Sequence, residues 1–188
     1  RPMSQVTKAA QAIAEVDLPA MTEAMAALAG GDVSRTVNIS TTALTIQSKE
    51  ETGQLAAAFN AMIAKLQASG LAFGAVVTNL RGLSDEAKLL TKAAVDGKLA
   101  TRGDAAKFEG SYRDIVQGVN DTLDAVIGPL NVAAEYVDRI SKGDVPAKIT
   151  DKYNGDFNEI KNNLNQCIDA VNALIGDAVL LSKAAVDG

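Results

Sequence analysis

The sequence predicts an all-α fold made of parallel four-helix coiled-coil bundles, formed by homodimerisation and stacked end to end. Three observations lead there. The first is repetition. Residues 89–97 return as 180–188 with eight of nine identical, at an offset of 91, and 119–126 line up with 164–171 at an offset of 45, with a further copy at 59–66. Self-similarity at such a period marks an array of small units that bury a core only by stacking. The second is phase. Apolar residues step alternately by four and three from Leu55 through Phe59, Met62, Leu66, Phe73, Val76, Leu80 and Leu83 to Ala94, with Ser69 the only polar member. Two further seams run from Tyr112 to Ile140 and from Phe157 to Ala185. A strict 3.5-residue repeat keeps one edge of a helix against a partner, as in a coiled coil. The third is punctuation: each seam ends three residues before a glycine, Gly97, Gly143 or Gly188, and glycine supplies a left-handed helix stop.

Taken in order, residues 1–16 read as an incoming helix. Residues 17–68 are the first unit. Its first helix stops at Gly31, its connector holds the isolated apolar residues Val33 and Val37, and its second helix opens at Glu50-Glu51-Thr52-Gly53 and carries Leu55, Phe59, Met62 and Leu66. Residues 83–128 are a second unit, with Leu99 in its connector and Tyr112, Ile115, Val119 and Val126 on its seam. Residues 129–173 are a third, with Gly143, Val145 and Ile149, then Phe157, Ile160, Leu164, Cys167 and Val171. From Leu174 to Gly188 runs the first helix of a fourth, so a segment of a longer chain is expected. From second helix to next first helix the seam takes ten residues at Val119 to Pro129 and at Leu164 to Leu174, but 24 at Phe59 to Leu83. The excess is two heptads, so residues 69–82 are expected to be a two-stranded coiled-coil spacer of about 21 Å. Gly70, Gly74 and Gly82 lower helix stability there; a hinge and a close helix approach both fit them.

The connector apolar residues are spaced to tuck into a groove between helices. A packed connector of about 12 or more residues can run back along the bundle, which makes the two helices of a unit parallel. Two parallel helices cannot close a core alone, so a second copy of the chain is the expected partner.

Composition narrows the function. Hydrophobic residues make up 47% of the 188 but aromatics only 4%, which suits slim helices packed on one another. The absence of His excludes Ser-His-Asp and Cys-His pairs, His-ligated metals and a phospho-accepting His within these residues. A net charge of −5 with no basic cluster argues against nucleic acid. No run approaches 18 consecutive apolar residues. Cys167, on a seam and without cationic neighbours, is expected to be a buried structural thiol rather than a redox sensor. Glu50 and Glu51 point about 100° apart on a helix, so they mark a helix start rather than a catalytic pair. Asn60, Asn120 and Asn165 recur beside the seam, as interface groups that fix register or as solvated side chains, the former preferred. No catalytic residue, cofactor, metal or small-molecule ligand is expected.

Gly31-Asp32-Val33, then Glu50-Glu51-Thr52-Gly53, Leu55 and Phe59-Asn60-Ala61-Met62, resemble the HAMP domain, the linker of chemoreceptors, histidine kinases and adenylyl cyclases. Units two and three resemble the divergent HAMP repeats of arrays, so the resemblance spans about residues 17–188. It implies a cytoplasmic relay of conformational signals between an upstream sensor and a downstream output domain of the same chain, most of all in a methyl-accepting chemotaxis protein. A histidine kinase is the first alternative and a ligand-binding four-helix sensor the second. The acidic motif departs downstream: Glu51 is replaced by Ser111 and Asp156, and Gly53 by Arg113 and Asn158. If the motif locks the second helix in one state, units two and three are locked differently.

Overall fold

Each of the three internal repeats ends its first helix in the same way. Gly31, Gly97 and Gly143 take φ of 87°, 73° and 80°, a region closed to most side chains. The amide of Gly31 donates to Leu28 O and that of Asp32 to Ala27 O; Gly97 and Lys98 repeat this on Ala94 and Ala93, and Gly143 and Asp144 on Ile140 and Arg139. These paired bonds cap carbonyls that the helix leaves open. In this computed structural model residues 2–46, 48 and 50–188 are described, and all regular structure among them is helical. The helices are α1 (Pro2–Ala12), α2 (Leu18–Ala29), α3 (Glu51–Val95), α4 (Gly110–Ser141) and α5 (Asp156–Asp187). A π-bulge over Ile13–Asp17 joins α1 to α2, and a single 3-10 turn lies at Ala105–Lys107. The chain divides into two compact units, Arg1–Val116 and Gln117–Gly188.

In the first unit the connector after α2 runs back along α3. Val33 O accepts from the Arg81 guanidinium, Ile39 lies on Gly70, Thr41 O accepts from Gln67, and Leu44 pairs with Asn60. Position along α3 falls as the connector advances. Asp17 meets the connector at the level of Gln67, while Ala24 packs on Phe73 and Val77. Both helices therefore climb together, and the expected parallel arrangement holds.

The end of α3 and the start of α4 repeat the plan. Phe108 lies on Gly82, Asp104 is bound by Glu86, and Gly103 lies between Val116 and Leu90. In the second unit, Pro129, Val132 and Ala133 of α4 face Phe157, Ile160 and Leu164 of α5 across Ile149 and Tyr153.

One expectation changes. Residues 69–82 are not a bare spacer: Phe73 and Val77 form a core with Ala24, covered by Leu28, Val33 and Val37. The reason is connector length. From Gly31 to Glu51 the first connector is six or seven residues longer than its two counterparts, and the added chain covers the added helix. Close approach also explains two spacer glycines. A Cβ on Gly70 would lie 3.1 Å from Ile39, and one on Gly82 2.9 Å from Phe108, whereas Gly74 meets nothing. Finally, α3 is long and apolar enough to cross a membrane by length and composition, with a mean hydropathy of 1.4 over 18 residues. Along it Asn60, Gln67 and Arg81 bind connector backbone.

Candidate functional site: connector clamps and an open seam

The polar groups that matter fasten connectors to helices. Asn60 Nδ2 donates to Leu44 O at 2.9 Å while its Oδ1 accepts from Leu44 N at 2.6 Å. Asn165 treats Ile149 identically, at 3.0 and 2.8 Å. An extended residue has one outward N–H and one C=O, and a primary amide matches both. In each pair the Asn follows its connector residue by 16 positions. Thus Leu44, rather than Val37, is the counterpart of Ile149. The recurrent Asn60 and Asn165 hold connectors within the chain. Asn120, the third copy, is buried and engaged.

Asp17 is fully buried at the end of the π-bulge. Its Oδ1 accepts from the amide and hydroxyl of Ser40, and its Oδ2 from those of Thr41. Burial alone would raise its pKa, but these four bonds together hold it below the ordinary value. Glu86 plays a similar part for the next connector, at a different position in its helix. Its side chain is buried, accepting Lys107 Nζ at 2.7 Å and Asp104 N at 3.1 Å. The Lys107 bond is the main reason that its pKa is lowered, against the opposing effect of burial.

The acidic motif acts through backbone. Glu50 is the N-cap of α3 in an extended conformation, Glu51 stands in the first turn near the positive helix end, and the Gly53 amide donates to Glu50 O. A Cβ on Gly53 would fall 1.8 Å from Ser48 O, so only glycine fits. The downstream helices start otherwise, with Gly110 and Gly155 at φ of 54° and 53° where the first has Glu50.

The connector residues differ in burial. Val33, Val37 and Val145 are half-buried and Ile149 is buried. Leu99 is not an anchor: it is 44% exposed, and Phe108, 5% exposed, fills that role. Gly103, which no Cβ could replace without meeting Val116 at 2.9 Å, lets the chain pass close to α4.

The seam residues split into two sets. Phe59, Leu66, Tyr112, Phe157, Ile160, Leu164 and Val171 are half-buried, but Leu55, Met62, Ile115, Val119, Val126 and Leu174 are exposed. Cys167 is exposed in the single chain as well. In each second helix the next residue is the buried one: Ala56, Ile63, Val116, Asn120, Ile127 and Ile168. One residue is about 100° of helix rotation, so each helix has one apolar edge covered by its own connector and another left bare. Sequence periodicity shows a stripe but not which chain covers it. The cavity under Ile149 is about 10 Å³, room for one water at most. No group of metal-binding side chains occurs among the described residues.

Repeated parallel helices, glycine stops and clamped connectors describe a linker array. Two segments, residues 18–68 and residues 107–173, match the HAMP domain family. The chain belongs to the HAMP domain family. Its HAMP domains occur in tandem, and as HAMP domains they form a signal-transduction relay module, a signalling rather than a catalytic element. No solved structure matches the chain.

Proposed function

We propose that this HAMP array works as a parallel homodimer in the cytoplasmic part of a chemotaxis receptor, passing a conformational signal from an upstream sensor to a downstream output domain. The observation that carries the reading is the bare seam. Ile115, Val119 and Val126 are 54, 43 and 42% exposed at heptad spacing, and large apolar residues so aligned have a partner of the same kind. A second copy covers all of them at once and completes four-helix bundles. The units are then 17–68, 83–128 and 129–173, with a fourth beginning at Leu174, and the packed region 69–82 extends the first. α3, α4 and α5 are each continuous from one unit to the next, so a change of packing in one bundle reaches its neighbour as rotation or displacement of a shared helix. Neighbouring bundles prefer opposite packings, a reading that the different helix starts at Glu50 and Gly110 support for the first junction. A histidine-kinase context is the alternative output.

Spin-label distances between copies at Val126→Cys and Val171→Cys, in a Cys167→Ser chain, test the relay. Gly53→Ala in the first bundle is expected to shift the two distances in opposite senses. Distances that stay fixed in a folded variant contradict relay through the array.

A further inference from the structure

The first helical rod holds one residue too many for its seam. Buried or half-buried Val6, Ile13, Met21 and Leu28 step by 7, 8 and 7, and a neighbouring row of exposed Met3, half-buried Ala10 and exposed Leu18 and Met25 does the same. In an uninterrupted α-helix the eighth residue would turn one half of the rod about 100° from the other. The π-bulge over Ile13–Asp17, closed by Leu18 N–H on Ile13 O, absorbs it. Such bulges concentrate at functional positions.

Proline does not account for it. Pro19 follows the bulge, but Pro129 lies inside α4, which is α-helical throughout and keeps strict seven-residue steps. Two residues before these prolines stand Asp17 and Ile127. Asp17 is the difference: a carboxylate at the last residue of the bulge, fully buried, with four bonds from Ser40 and Thr41 of the connector.

We propose that Asp17 is a latch by which the connector holds the bulge and so sets the rotation of α1 relative to α2. With the latch closed, Met3 and Ala10 share a face with Leu18 and Met25. Once Asp17 leaves Ser40 and Thr41, the bulge relaxes to α-helix and α1 adopts a second setting about 100° away. Rotation of the incoming helix and release of the connector are then one event seen from two ends, linked reciprocally. This deepens the relay reading and rests on it only for its biological use, since every latch atom lies in one chain.

The test is a nitroxide distance between the exposed positions Lys8→Cys and Lys65→Cys in a Cys167→Ser chain, diluted with unlabelled protein so that only intrachain pairs are read. Asp17→Ala is expected to bring in a second distance, shifted by up to about 8 Å at the side-chain radius of a helix. Deleting Ala14 turns the eight-residue step into seven, so the original distance is expected to persist without a bulge, and Asp17→Ala in that background to shift nothing. A folded Asp17→Ala chain with an unchanged distance overturns the proposal. So does an Ala14 deletion that itself rotates α1, which decides the matter even where Asp17→Ala does not fold. Unchanged relay distances at Val126 and Val171 would instead count against the relay and leave the latch standing.

Discussion

Asp17, Asn60 and Asn165 fasten the connectors beside the apolar residues that pack under them. Removing the Asp17 carboxylate leaves the buried Thr41 amide and its neighbours without acceptors, so Asp17→Ala is expected to cost about 3 kcal/mol in chemical denaturation. Its folded pKa lies below its unfolded value near 3.8. The stabilisation is therefore complete above that value and lost as pH falls through the lower folded one. Thermal melts from pH 6 to 3 are expected to lose stability at the acid end, and Asp17→Ala to flatten that loss. Asn165→Ala removes two bonds to Ile149 and is expected to cost about 1–3 kcal/mol, with faster amide exchange at Ile149 as its local signature. The recurrence of Asn60 and Asn165 was visible in the sequence. Their role was not, because a polar residue beside a seam fits both a partner helix and a connector.

At the scale of elements, helix limits and direction were legible. Glycine stops, seam phase and connector anchors foretold parallel helices with returning connectors, and α3, α4 and α5 run through the expected junctions. Connector packing was less legible. Spacing marked Leu99, yet Phe108 is the buried residue, since the 3-10 turn at Ala105–Lys107 redirects the chain and brings the ring onto Gly82. Phe108→Ala is expected to cost about 3–5 kcal/mol and Leu99→Ala well under about 1, compared in the same denaturant titration. Equal costs would contradict the assignment. The two added heptads at 69–82 look like a spacer while helix length is counted alone; the six or seven added connector residues show that helix and connector grow together.

For the whole molecule, the bare seam decides the account. One chain covers the edge at Ala56, Ile63, Val116 and Ile168 and leaves Leu55, Met62, Ile115 and Cys167 open. The half-heptad phase was evident from sequence, but two adjacent apolar edges merge into one stripe there. If the seam joins two parallel copies, Cys167 lies beside its own symmetry mate, and no other cysteine competes. Oxidative cross-linking at low protein concentration, read by mass, tests this directly. A disulfide-linked species at twice 19.5 kDa is the expected product, and a chain that remains at 19.5 kDa under the same oxidation would contradict the parallel homodimer.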